Sequence, residues 1–104
     1  MKKQIVHNKK DFIVSSFYKF VYLEEPEVIF DLLKNKLKVF DIKGTFIIGA
    51  EGVNASFSIK SFQFEKVKNI IKNLIQNDVK FKSQRNKNHA FLRFKIKIRK
   101  EIVS

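Results

Sequence analysis

The chain has 104 residues, room for one domain but not two, and its 44% hydrophobic content is enough for a core, which sets disorder aside. A formal charge of +12, from 22 basic and 10 acidic residues, attracts polyanions and keeps the chain soluble without dictating a fold. Cysteine is absent, which excludes a disulfide, a thiolate nucleophile and a zinc–thiolate site.

Residues 1–11 are polar and basic and read as a flexible arm. Their positive charge has no apolar stretch behind it, so they do not form a signal peptide. No apolar run approaches the ~20 residues that span a bilayer. The expectation is a cytoplasmic chain with no membrane partner.

Phe12 to Leu23 is rich in aromatic and β-branched residues and predicts the first strand. Pro26 suits the first turn of a helix, and Glu25 and Glu27 complement its dipole. Val28, Ile29, Leu32, Leu33 and Leu37 then fall on one side of a helix from Glu27 to about Phe40. Thr45 to Ala50 reads as a central strand and Ala55 to Ile59 as its neighbour. Between them Glu51-Gly52-Val53-Asn54 forms a hairpin connection, because Gly52 and Asn54 tolerate positive φ. Ser61 can cap a second helix from Phe62 to about Asn77, whose stripe is Val67, Ile70, Ile71, Leu74 and Ile75. Asp78 to Asn88 is a polar connection, and His89 to Val103 the last strand.

Residues 12–104 thus form a single domain of order βαββαβ. Two helices apolar on one side need one sheet face to cover. The expected fold is an α+β ferredoxin-like sandwich: an antiparallel four-stranded sheet with both helices on one face.

In the last strand Ala90, Leu92, Phe94, Ile96 and Ile98 alternate with Phe91, Arg93, Lys95, Lys97 and Arg99. Residues at i and i+2 share a sheet face, so one face is apolar and the other carries four cations headed by Phe91. Arg93, Lys95, Lys97 and Arg99 form a candidate phosphate track, with Phe91 as a stacking partner. The same pattern also reads as a solvated edge that lysine protects from aggregation. The basic residues are 19 Lys and only 3 Arg, in a chain rich in Asn, Ile and Phe. Composition bias alone can produce that mixture. The hairpin Glu51 to Asn54 reads as turn chemistry, or as an amide nest for an anion in which Glu51 would be an odd neighbour.

Metal binding is not expected, because His7 and His89 lie far apart and no His–carboxylate cluster has ligand spacing. Ser15-Ser16 lies in a strand and no nucleophile elbow surrounds it. His89 reads as a strand-end residue, and Glu24-Glu25 as helix-start residues. The fold raises one enzymatic rival, acylphosphatase, which uses a glycine-rich, arginine-bearing loop after its first strand. Leu23-Glu24-Glu25-Pro26 has neither glycine nor cation there and would repel an acyl phosphate.

Three stretches carry a family resemblance: Ser16-Phe17-Tyr18-Lys19-Phe20, Gly44 through Ser56 around the Glu-Gly-Val-Asn hairpin, and Phe91 through Val103 with its Lys-Glu-Ile-Val ending. In order and spacing they resemble the N-terminal domain of the oxygen-dependent tRNA uridine hydroxylases, also called rhodanese-related proteins. The resemblance runs from about Phe12 to Val103. It implies an acylphosphatase-like fold and a parent oxidoreductase that forms 5-hydroxyuridine at the tRNA wobble position. It also implies a rhodanese domain with an active-site cysteine, absent here, beyond Ser104. No residue of this chain takes a catalytic role by the resemblance, and no cofactor or metal is implied. The expected role is binding or positioning tRNA. The alternatives are a structural domain that packs on the rhodanese domain, or a stand-alone RNA-binding module.

Overall fold

A computed structural model describes residues 11–103, so all of the expected basic arm except Asp11 lies outside the described residues. The elements are β1 (Phe12–Phe20), α1 (Pro26–Leu37), β2 (Ile42–Gly49), β3 (Gly52–Lys60), a 3-10 turn (Ser61–Gln63), α2 (Phe64–Leu74), β4 (Lys82–Asn86) and β5 (Phe94–Ile98). They form one five-stranded sheet of order β4-β1-β3-β2-β5. The first four strands pair antiparallel, as a ferredoxin-like sheet requires. The expectation of four antiparallel strands is corrected by β5, which pairs parallel to β2 and makes the sheet mixed.

The correction has a local cause. Lys82-Ser83-Gln84-Arg85-Asn86 contains no β-branched or aromatic residue, so propensity reads it as a connection. It is nevertheless an edge strand, laddered to β1 from Phe12↔Asn86 to Ser16↔Lys82, with Ser15 and Ser83 hydroxyls 2.9 Å apart. A polar edge needs only one side's backbone bonds and resists further pairing. The stretch from His89 to Val103 is then free of that edge and divides into a crossing segment, β5 and a tail. Leu92, assigned to the apolar face, is 90% exposed because it precedes β5, and Ala90 is exposed too. Within β5 the expected alternation of burial holds for Phe94 and Ile96, which pack against the core, and for Lys95, which is exposed; it fails at the end of the strand, where Lys97 is half-buried and Ile98, assigned to the apolar face, is 39% exposed.

Both helices are shorter than expected. Pro26 sits in the first turn of α1 with Glu27 beside it, and Lys34 and Lys36 occupy its last turn, matching the helix dipole at both ends. Leu33 and Leu37 are fully buried and Ile29 and Phe30 pack beside them, whereas Val28 and Leu32 are 46% and 37% exposed. The buried stripe is therefore rotated by one position from the expected one. Ser61 begins a 3-10 turn that feeds α2, where Val67 and Ile71 are fully buried. These helix residues join Phe17, Phe46, Ile48, Val53, Ala55, Phe57 and Ile59 in one core cluster on one sheet face. Phe46 and Phe57 stack at 5.5 Å at its centre.

Candidate nucleic-acid interface

With both helices on one face, the opposite face holds Phe12, Val14, Ser16 and Tyr18 of β1, Asn54, Ser56 and Ser58 of β3, and Lys43, Thr45 and Ile47 of β2, by strand alternation. Lys95 and Lys97 pair beside Thr45 and Ile47, so they border this same face. Arg93 and Arg99 lie just outside β5, yet their backbones continue the ladder: Gly44 N–H donates to Arg93 C=O at 2.7 Å, and Arg99 N–H to Ile48 C=O at 2.9 Å. The four cations therefore follow one line along an edge. Arg93, Lys95 and Arg99 are exposed and Lys97 is half-buried. The Arg99 guanidinium also donates to Ile98 C=O at 3.0 Å.

Phe91 does not head that line, which corrects its expected position. It lies in residues 87–93, which carry the chain from β4 on one edge to β5 on the other. The crossing spans four interstrand gaps, roughly 19 Å, within the roughly 23 Å reach of seven extended residues. His89 anchors the crossing. Its Nδ1 lies 2.7 Å from Ser58 Oγ, its Nε2 lies 2.9 Å from Asp41 Oδ1, and its ring lies 4.4 Å from that of Phe12. Ser58 Oγ also accepts the Ala90 N–H at 3.1 Å. The Nε2–H tautomer satisfies every group: Asp41 accepts from Nε2, and Nδ1 accepts the Ser58 hydroxyl. The trio has the residue types of a hydrolase triad, but Ser58 is 0% exposed and already engaged, so its work is to pin the crossing. His89 is not the strand-end residue expected from its position in the sequence; Asp41, Ser58 and His89 are too far apart along the chain for any local signal to join them. Phe91 is half-buried and faces a hollow shared with Ser16, Ser56, Lys82 and Gln84.

The hairpin is tighter than expected: Gly49 pairs with Gly52, so Ala50-Glu51 is the turn and Gly52, Val53 and Asn54 already belong to β3. Gly52 has φ +138, and a Cβ there would collide with the Lys19 carbonyl oxygen. Val53 is buried in the core. Glu51 Oε1 accepts the Ile102 N–H at 2.9 Å, and Asn54 Nδ2 donates to the Ile102 C=O at 2.8 Å. The Ile102 side chain is 1% exposed. Both polar groups of the hairpin thus bind the tail's backbone, so turn and clamp, not an anion nest, account for them.

The β1–α1 connection presents Glu24 and Glu25 to solvent, with no cation among residues 23–27 to hold a phosphate. At the same end of β1, Lys19 Nζ lies 2.9 Å from Asp78 Oδ1, and its hydrogen bond holds the Asp78 carboxyl below its ordinary value. Among the described residues, no three His, Cys, Asp or Glu side chains converge on a metal position, and no helix is long and apolar enough to cross a membrane.

Comparison with known proteins fits this architecture. Residues 12–102 match the family model described as "UPF0176 acylphosphatase like domain". Curated relatives include proteins named tRNA uridine(34) hydroxylase. That of Legionella pneumophila (strain Corby) is 34% identical over 100 residues, covering 91% of this chain and 38% of the relative. That of Bdellovibrio bacteriovorus is 32% identical over 96 residues, covering 90% of this chain and 27% of the relative. That of Prochlorococcus marinus (strain MIT 9515) is 31% identical over 100 residues, covering 92% and 32%. The chain therefore spans about a third of the length of these relatives. The match over nearly all of the folded residues makes this chain a member of the UPF0176 acylphosphatase-like domain family, whose curated relatives are tRNA-modifying enzymes.

Proposed function

We propose that this chain binds and positions tRNA for hydroxylation of its wobble uridine, with catalytic groups supplied by a rhodanese-type domain. The observation that carries the reading is the aligned edge of Arg93, Lys95, Lys97 and Arg99, whose backbones follow one another along β2. Alternate residues of a strand lie roughly 6.8 Å apart, so four cations extend over roughly 20 Å. That length suits several successive phosphates better than a compact ligand. The names of the relatives supply the polyanion, tRNA. Phosphate contacts position a nucleic acid without reading its bases, which suits a module that presents tRNA to chemistry elsewhere.

The test is tRNA binding by the 104-residue chain at several salt concentrations, with the variant Arg93→Gln/Lys95→Gln/Lys97→Gln/Arg99→Gln beside it. If all four cations engage phosphates, the slope of log affinity against log salt becomes shallower by about 2.8 to 3.6 in the variant. A folded variant with unchanged affinity and slope would reduce the edge to a solvated rim and leave packing on a neighbouring domain as the better account.

A further inference from the structure

One row of side chains crosses the whole helix-free face. Lys82 pairs with Ser16, Ser16 with Ser56, Ser56 with Thr45, and Thr45 with Lys95, through all five strands. The row is small and polar in the middle and cationic at both ends. Its neighbours on either side are covered: Ser58 lies under the crossing at His89 and Ala90, and Asn54 is engaged by the tail at Ile102. Ser58 and Asn54 are four residues apart along β3, roughly 13 Å. The uncovered row between them is therefore a trough running across the strands, with Ser56 exposed on its floor. Two adjoining hollows of about 620 and 360 Å³ share Ser16, Ser56 and Lys82 as lining. Tyr18, 64% exposed, and Lys80 line the larger, while Phe91 lines the smaller.

We propose that this trough holds a stretch of unpaired RNA, with backbone phosphates at Lys80 and Lys82 on one side and Lys95 and Lys97 on the other. The inference rests on the tRNA-binding reading and specifies which part of the RNA the domain grips. Charge complementarity selects the occupant. Among the described residues of the lining the one carboxylate, Asp78, is paired with Lys19, and cations flank both mouths. Hydroxyls on the floor donate and accept, as base edges and ribose 2′-hydroxyls require. Tyr18 and Phe91 provide aromatic surface on opposite walls for stacking. A duplex is wider than the gap and would rest only on its rims.

The test uses fluorescence anisotropy with an unstructured oligouridylate of about ten nucleotides, a hairpin duplex with the same number of phosphates, and an oligoglutamate of equal charge. The single-stranded probe should bind at least about tenfold more tightly than the duplex or the peptide. Ser56→Glu should weaken it about tenfold and Ser56→Lys should tighten it. Asn69→Glu, the same charge change as Ser56→Glu at an exposed position of α2, should stay within about twofold of wild type. Tyr18→Ala should also lose about tenfold, so the inference stays testable if Ser56→Glu fails to melt cooperatively. If RNA binds but Ser56→Glu and Ser56→Lys both behave like Asn69→Glu, the trough is overturned and the tRNA-binding reading stands. Duplex binding as tight as single-strand binding, or an oligoglutamate as tight as the RNA, also overturns it. No binding of any RNA at low salt overturns both the trough and the tRNA-binding reading.

Discussion

Ile102 shows how two short motifs, nearly fifty residues apart, become one object. Glu51 takes its N–H and Asn54 its C=O, while its side chain sinks to 1% exposure. A buried isoleucine contributes about 1.5–3 kcal/mol, and a hydrogen bond about 0.5–1.5, so the tail is tied down by interactions of comparable size. Asn54→Ala should lower stability by about 1 kcal/mol in urea unfolding and expose the tail to faster tryptic cleavage after Lys100. A variant cleaved at the wild-type rate would show that the side-chain bond does not hold the tail. Sequence reading found both motifs but not their contact. A hydrogen bond from a turn to a distant backbone leaves no periodic signal in either segment. The Lys19–Asp78 pair is a smaller case with a defined pH sign. The Lys19 hydrogen bond lowers the Asp78 pKa from its ordinary value, so the pair stabilises the fold above the unfolded carboxylate's pKa. That contribution disappears as pH falls through the lowered folded value. Asp78→Asn should slightly lower the neutral-pH Tm and flatten its acid limb, an effect that added salt shrinks because the Asp78 carboxylate is exposed. A variant whose melting curve parallels wild type at every pH would assign the acid sensitivity to other carboxylates.

At the scale of elements, legibility follows the source of each element's stability. The helices and the β2–β3 hairpin are held by buried periodic side chains, and their approximate positions are visible in the sequence. The β4 strand is held by its ladder to β1 and by one serine pair, interactions that hydrophobic pattern cannot report. With β4 read as a connection, the stretch from His89 to Val103 stands as the fourth strand of an antiparallel sheet, which is why its length and its direction of pairing differ from those of β5. The alternation of residues 94–98 still gave their faces correctly, because it depends on the strand and not on its neighbour. The same logic divides the candidate site. Four alternating cations along one stretch are legible, but a trough assembled from residues 16, 45, 56, 82 and 95 exists only once strand order is known. Core energetics should rank by burial. Phe46→Ala, at 0% exposure between Phe57 and Phe94, should cost about 3–5 kcal/mol, whereas half-buried Phe94 on the edge should cost less. Denaturant unfolding of both variants checks the order, and an equal or larger loss at Phe94 would mean that β5 is integral to the core.

At the scale of the whole molecule the question is whether +12 is a property of the surface or of a site. Lysines are spread over both layers, including Lys36 in α1, Lys38 at its end, and Lys66 and Lys72 on α2. A long-range field from net charge alone would make these equivalent to the β5 edge in attracting tRNA, apart from screening over a Debye length of about 8 Å at physiological salt. Contact with phosphates is different, because each engaged cation releases a counterion and adds to the salt slope. Two variants that remove the same four charges separate these cases: Lys36, Lys38, Lys66 and Lys72 changed to Gln on the helix side, and Arg93, Lys95, Lys97 and Arg99 changed to Gln on the edge. The helix-side variant should keep the wild-type salt slope and lose little affinity at physiological salt. The edge variant should lose most of the slope and weaken binding to all tRNA species alike. Equal losses in the two variants, measured by tRNA titration after thermal melts confirm folding, would make the charge a property of composition and remove the β5 edge as a site.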